Sequence, residues 1–317
     1  MKEIGGYLEF EHYHMPMLHQ GMHAFNCARN CLAYLIEKRK IKKIYIPLFL
    51  CDSVYDACKR YDIVVEKYSI DSDFIPIDLE PSAESWVYIV NYYGQLSNSI
   101  LNNMKKKYGN VIIDNVQAYF QEPLIGVDTI YTCRKFFGVT DGAFLYSDVE
   151  MDETLLFDES ASRLDYLTGR FEKSGADYYN LFKESENRLA DEPIKRMSRF
   201  TMNLLHGIDY EFVKQRRTEN FKYLNSQLSG VNKLKINVPV GAYMYPLYVD
   251  NGEQIRRTLV EKKIYTPVLW PNVLDECGKN TTEYNLAANI IPLPVDQRYV
   301  IEDMKYMIDI LYNTMEE

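Results

Sequence analysis

Apolar residues recur at helical spacing over Asn30 to Glu37, Ser53 to Tyr61 and Ser99 to Tyr108, and between these stretches lie short apolar or β-branched runs at Lys43 to Pro47, Ile63 to Tyr68, Ser85 to Val90 and Val111 to Ile113. Runs of this length separated by helical stretches predict strands buried on both faces of a parallel sheet, with helices as the crossovers. Two further runs follow, Thr129 to Tyr131 and Ala143 to Tyr146. The pattern then changes. Ser160 to Leu228 is charged and helical, with Glu184-Ser-Glu-Asn-Arg188, Lys214-Gln-Arg-Arg217 and few strand signals. From Lys235 onward the runs Tyr243 to Val249 and Tyr265 to Leu269 alternate with helical stretches at Glu253 to Lys262 and Ile301 to Tyr312. The expected organisation is α/β: a large domain over 1–228 on a mostly parallel sheet, with a helical connector over about 160–228, and a small α/β domain over 229–317.

Composition narrows the function. The chain has 317 residues, 47% of them hydrophobic and 26% charged, ordinary for a globular protein. A formal charge of −9 argues against broad nucleic-acid binding, which draws on basic surfaces that neutralise phosphates. The basic run Lys38-Arg-Lys-Ile-Lys-Lys43 lies between a helix and a strand and reads as a solvated helix end. No apolar run reaches the ~18 residues of a membrane span. The stretch MKEIGGYLEFEHYH lacks the apolar core of a secretory signal, so the cytoplasm is the expected location. The six cysteines form no C-x-x-C pair and read as free thiols. His12, His14, His19 and His23 match no closed zinc pattern, Gly5-Gly6 is not a phosphate loop, and there is no G-x-S-x-G elbow. Of the 27 tyrosines, Tyr92, Tyr93, Tyr178 and Tyr179 could stack on sugars or bases, and packing is the commoner role.

The richest chemistry lies between Val111 and Asp148. The strand at Val111 to Ile113 delivers Asp114 and, three residues on, Gln117 to its C-terminal end, the edge where open α/β sheets bind ligands. The run Thr129 to Tyr131 leads into Thr132-Cys-Arg-Lys135, so a lysine amine and an acid both sit at strand ends. Pyridoxal phosphate chemistry requires that pairing: a lysine to hold the cofactor aldehyde, and an acid to keep its ring nitrogen protonated as an electron sink.

The order of acid, polar residue three later, then S/T-x-x-K resembles the fold-type-I aminotransferases, and IIDNVQAYF is similar to the corresponding segment of the DegT/DnrJ/StrS sugar aminotransferases. The resemblance implies a three-layer fold like that of aspartate aminotransferase, pyridoxal 5'-phosphate as cofactor, and Lys135 and Asp114 as the catalytic pair. It implies that Cys27-Ala-Arg-Asn-Cys-Leu32 stands where the family has S-G-T-x-A-L, so that Ala28 and Arg29 present amides to the phosphate, and Arg29, replacing a hydroxyl residue, adds a charge-assisted contact. By the same carry-over Asn91 and Gln117 lie near the ring's phenolic oxygen, and Thr132 belongs to the cofactor site. Cys51 falls where the family often has an aromatic ring, which leaves Phe49 and Tyr93 as substitutes or as core. Pro193-Ile-Lys-Arg-Met-Ser198 resembles the family's N-Y-R-M-S, which makes Arg196 and Ser198 candidates for reaching the neighbour's phosphate in a homodimer with shared sites. Arg298 is a candidate for a donor carboxylate or for a surface ion pair. The implied reaction moves an amino group from glutamate to a nucleotide-linked keto sugar for a surface polysaccharide. Two other readings stand beside it. Arg29, Cys51 and Asp141-Gly142, where the family tends to have paired glycines, suit a noncatalytic or regulatory binder, and a pyridoxal-phosphate dehydratase or lyase is a third possibility. Asp114, Gln117 and Lys135 together speak for catalysis, and Lys135 for transamination.

Overall fold

The computed structural model describes residues 4–316. In chain order the strands are β1 (His23–Phe25), β2 (Lys43–Pro47), β3 (Val64–Ile70), β4 (Pro76–Ile77), β5 (Trp86–Val90), β6 (Asn110–Asp114), β7 (Thr129–Thr132), β8 (Ala143–Tyr146), β9 (Met244–Tyr248) and β10 (Ile290–Pro294). The helices are α1 (Ala28–Lys38), α2 (Asp52–Lys59), α3 (Asn98–Tyr108), α4 (Asp165–Glu172), α5 (Tyr179–Asp191), α6 (Arg199–Leu205), α7 (Tyr210–Leu228), α8 (Gly252–Glu261), α9 (Asn272–Glu276), α10 (Thr282–Asn289) and α11 (Ile301–Glu316).

Eight strands form one sheet in the order β1-β8-β7-β6-β5-β2-β3-β4. The central pairs β3·β2, β2·β5, β5·β6 and β6·β7 are parallel, while β4, β8 and β1 run antiparallel to their neighbours. Val111, Ile112 and Ile113 of β6 are all buried, as a strand covered on both faces requires. The expectation of a mostly parallel α/β sheet therefore holds. α1 packs on β7 and β8, and Asn30 to Ile36 are buried without interruption. Arg39, from the basic run, is bonded rather than simply solvated: its Nε and Nη2 donate to Asp128 at 3.0 and 2.8 Å, which ties the end of α1 to the entry of β7.

A second apolar cluster joins Phe221, Leu224 and Leu228 of α7 to Leu247, Leu259, Leu293 and Leu311, around the antiparallel pair β9·β10. Trp270, Val273, Leu286 and Ile290 belong instead to the core under the large sheet. Tyr265 to Leu269, expected as a strand, is irregular chain, with Pro267 inside it and Tyr265 and Val268 exposed. The partner of β9 is Ile290–Pro294, whose prolines hide the strand in the sequence. Pro292 faces Pro246 across the pair, and such a facing is tolerated because alternate pairs of an antiparallel ladder exchange no hydrogen bond. Among the described residues no helix is long and apolar enough to cross a membrane.

Candidate active site

Five parallel strands end on one side of the sheet, and a cavity of about 970 Å³ opens there. Two adjacent strands supply its chemistry. β6 ends at Asp114, in register with Ile130 of β7, and β7 runs out through Thr132 into a tight turn carrying Arg134 and Lys135. The Phe136 and Phe137 amides both return to the Cys133 carbonyl at 2.9 Å, which closes the turn and aims Lys135 into the cavity.

Asp114 is buried at the back of the cavity. Its Oδ2 accepts the Tyr88 hydroxyl at 2.7 Å and its Oδ1 the Val116 amide at 2.9 Å. Burial raises its pKa above the usual carboxylate range, opposed by Lys135 and by those two donors. The Lys135 side chain is open to the cavity, yet protein surrounds the cavity itself, and that desolvation lowers the amine's pKa while Asp114 pulls it back up. Its Nζ lies 5.6 Å from the centre of the Tyr243 ring. The arrangement holds an acid and an amine across one space, with burial lowering the amine's pKa, which is the pairing of acid and nucleophile that catalytic sites use.

The N-terminus of α1 forms another wall. Cys27 is the extended N-cap with no side-chain cap, and the first amides to return to its carbonyl are those of Asn30 and Cys31. The amides of Ala28 and Arg29 thus precede the helix's own hydrogen bonds, at the positive end of its dipole. Arg29, Arg134, Lys135, Arg170, Arg217 and Arg298 line the cavity against Asp114, Glu186 and Asp296, an excess of positive charge suited to an anionic ligand. Arg134 pairs with Glu186 of α5, and its buried Nε has no partner. Burial lowers its pKa, and Arg29 acts in the same direction.

The sequence candidates divide. Ala28, Arg29, Asp114, Gln117, Thr132, Lys135 and Arg298 line this one cavity, as do Cys51, Tyr178 and Tyr179. Gln117 Oε1 accepts the Tyr93 amide at 2.8 Å, so its Nε2 is the end left to face a ligand. Arg298 forms a two-pronged pair with Asp296 at 2.7 and 2.8 Å while lining the cavity.

None of Phe49, Asn91 and Tyr93 lies on the cavity wall, which for Phe49 and Tyr93 is the core alternative and for Asn91 differs from expectation. Phe49 packs edge-on against Trp270 with centroids 4.5 Å apart. Tyr93 has φ 53° and is buried in the core. Asn91 is consumed by the turn after β5: its Nδ2 donates to Asn115 and Gln121 at 3.0 and 2.8 Å, and its Oδ1 accepts the Leu96 amide at 2.9 Å. Tyr88, Arg134, Tyr166, Phe171, Phe182, Tyr243 and Trp270 line the cavity without having been singled out for it. Only Arg134, next to Lys135, carried a positional hint.

Arg196 and Ser198 also lie away from the cavity of their own chain. Arg196 pairs with Glu153 at 2.8 Å and lies over the Phe157 ring. Ser198 caps α6 and is bound to Asp141, whose buried carboxylate accepts the Ser198 amide at 2.7 Å, its hydroxyl at 2.8 Å, the Ser160 hydroxyl at 3.1 Å and that of Thr201. The departure at Asp141-Gly142 is thus a structural node, with the Gly142 carbonyl accepting the Cys133 amide at the start of the lysine turn at 3.0 Å. Gly142 has φ +115°, and a Cβ there would meet Cys133 Sγ at 3.2 Å. Asp141→Ala should lower stability in chemical denaturation by on the order of 3 kcal/mol, because several donors lose a charged acceptor at once. A loss under about 0.5 kcal/mol, the range of an ordinary surface change, would show the node to be dispensable.

His19 and His23 each meet a backbone carbonyl, of Tyr119 at 2.9 Å and of Val149 at 2.7 Å, and burial lowers His19 to about 4. Among the described residues no cluster of His, Cys, Asp and Glu could hold a metal ion.

No protein-family model matches the sequence, and no curated protein matches it. Solved structures do match in fold. The sugar aminotransferase CalS13 from Micromonospora echinospora is 13% identical at TM-score 0.61, with 92% of this chain and 86% of that one covered. A DegT DnrJ EryC1 StrS aminotransferase from Brucella abortus is 13% identical at TM-score 0.64, with 92% and 85% covered. NtdA from Bacillus subtilis, solved with bound cofactor PMP, is 11% identical at TM-score 0.65, with 93% and 73% covered. At such low identity the likeness speaks for architecture, and by its architecture this chain has the fold of the DegT/DnrJ/EryC1/StrS sugar aminotransferases.

Proposed function

We propose that this protein is a pyridoxal-phosphate-dependent aminotransferase that transfers an amino group, with glutamate as donor, to a nucleotide-linked keto sugar. One observation carries the reading: Asp114 and Lys135, at the ends of neighbouring strands β6 and β7, face a single cavity walled by the open N-terminus of α1. The similar structures bear on it too, since two are described as aminotransferases and NtdA was solved with PMP.

The residues present fit the cofactor. The Ala28 and Arg29 amides with the Arg29 side chain would hold its phosphate, Asp114 its ring nitrogen and Lys135 its aldehyde, with Gln117 Nε2 and the Thr132 side of the turn as further polar contacts. When bound, pyridoxal phosphate supplies an aldehyde that amines capture and a protonated ring that draws electrons from the bond beside the captured nitrogen. The chain's own groups do the rest. Asp114, held by Tyr88 and Val116, would keep a proton on the ring nitrogen, and the Lys135 amine would move a proton to and from the donor's α-carbon. The lowered pKa of Lys135 favours the neutral amine that both tasks need.

The sugar and its nucleotide would occupy the outer cavity, where Tyr178 and Tyr179 offer ring faces and Arg170 a positive charge. The working unit in this reading is a homodimer, and Arg196 is better placed than Ser198 to serve a neighbour, since the Ser198 hydroxyl is committed to Asp141. The experiment is spectroscopic. Purified protein incubated with pyridoxal phosphate should show a visible band, and L-glutamate alone should remove it, because the donor half of the reaction needs no sugar. A band that glutamate leaves unchanged would argue for a binder or for another donor.

A further inference from the structure

α7 presents a buried stripe at helical spacing, Tyr210, Val213, Asn220, Phe221, Leu224 and Leu228, and Arg217 stands in that stripe where an apolar residue would be expected. Arg217 is 2% exposed and forms no ion pair among the described residues, and burial lowers its pKa to about 10 while Asp296 acts in the opposite direction. A charge buried without a paired carboxylate is costly unless its donors are well satisfied.

Those donors converge on the lysine turn. Arg217 Nη2 donates to the carbonyl of Phe136, the residue after Lys135, at 3.0 Å, and Gln297 Nε2 donates to the same oxygen at 2.9 Å. Arg217 Nε closes the ring on Gln297 Oε1 at 2.8 Å. Its Nη1 reaches the carbonyls of Ala242 and Tyr243 at 3.0 and 3.4 Å, and it is the Tyr243 ring that faces Lys135 Nζ. The guanidinium also lies 4.7 Å from the Phe136 ring centre.

We infer that Arg217, locked by Gln297, is a positioning residue that fixes Lys135 from behind by holding the Phe136 carbonyl and the Tyr243 backbone in one forked clamp. The inference rests on the aminotransferase reading for its consequences in catalysis, but the clamp itself is a claim about where Lys135 stands. A planar fork can hold carbonyls from the turn and from the entry to β9 at once, which an ammonium cannot do. The Phe136 carbonyl is thereby tied to α7 and to the segment after β10, and the Tyr243 carbonyl to α7.

The test uses the full chain with Arg217→Met, which suits the apolar stripe, and Arg217→Lys, which keeps the charge without the fork. Two readouts are taken: the pH midpoint and glutamate-driven decay rate of the visible cofactor band, and, in cofactor-free protein, the rate at which formaldehyde with borohydride methylates Lys135 relative to surface lysines, followed by mass spectrometry. Arg217→Met should unfold within about 5 °C of wild type. In both variants the band midpoint should move, decay should slow roughly 10- to 100-fold, as misplacements near 1 Å do, and Lys135 labelling should change while surface lysines do not. A change in melting temperature alone, with midpoint, decay and labelling as in wild type, would overturn the clamp, and so would wild-type behaviour of Arg217→Lys. If Arg217→Met does not fold, Gln297→Met decides: it takes one donor from the Phe136 carbonyl and should shift the same readouts in the same direction by less, whereas no shift refutes the clamp. A wild type that never develops the band sinks the aminotransferase reading, and the labelling comparison still judges the clamp.

Discussion

Lys135→Ala will leave the protein folded and colourless: no visible band with pyridoxal phosphate, and glutamate turnover lower by at least about 10⁴-fold, since a group that both captures the cofactor and moves the proton contributes more than the ~10²–10⁴ of acid-base catalysis alone. The side chain is open to the cavity and forms no ion pair among the described residues, so removing it should cost little stability. Burial lowers the Lys135 pKa, so its amine stays neutral to a lower pH than an ordinary lysine and capture of the aldehyde should persist as pH falls, until the amine takes up its proton. Absorbance spectra across pH, with mass spectrometry after borohydride reduction to locate the attached cofactor, check both statements. Attachment at another lysine in the wild type would remove Lys135 from the mechanism.

Asp114→Asn should separate capture from proton transfer. The amide still fits between Tyr88 and Val116, so the band should form, but an uncharged group cannot hold the ring nitrogen protonated, and proton abstraction from glutamate should slow roughly 10²- to 10⁴-fold. The pH dependence should move as well. Asp114 is the foremost group raising the Lys135 pKa against burial, so its loss lowers that pKa further and shifts capture of the aldehyde to lower pH. Single-turnover kinetics with glutamate, read beside a pH titration of the band, give both numbers. A glutamate half-reaction at the wild-type rate would exclude Asp114 from the chemistry.

Where local pattern controls structure, the residues announced it. The runs at Lys43 to Pro47 and Ala143 to Tyr146 match the observed strands end to end, and those at Val111 to Ile113 and Thr129 to Tyr131 fall one residue short at one end or both. A strand buried on both faces must be apolar throughout, so its polar neighbours mark its end. Asp114 and Lys135 were legible for that reason: Asp114 follows its run directly, Lys135 lies in the short turn after the next one, and the ends of parallel strands share one edge. Pro292 and Pro294 concealed β10, because the rule against proline in strands carries no information about which ladder positions need a donor.

The amino-acid sequence by itself determined the sheet's central strands and the acid and the amine at their ends, since each depends on period or on nearby residues, whereas the helix start at Ala28 was implied by the family resemblance, its apolar period beginning only at Asn30. Tertiary structure decided which side chains reach the cavity. Tyr93 turns inward on a left-handed backbone, φ 53°, and Asn91 is claimed by Asn115, Gln121 and Leu96, so both leave a wall that their positions alone would have given them. Tyr88, Tyr243 and Arg217 reach the site from β5, from the entry to β9 and from α7, brought together by packing across more than 100 residues of chain. Periodicity places a residue on a face, but which hydrogen bonds its side chain completes depends on every element that packs against that face.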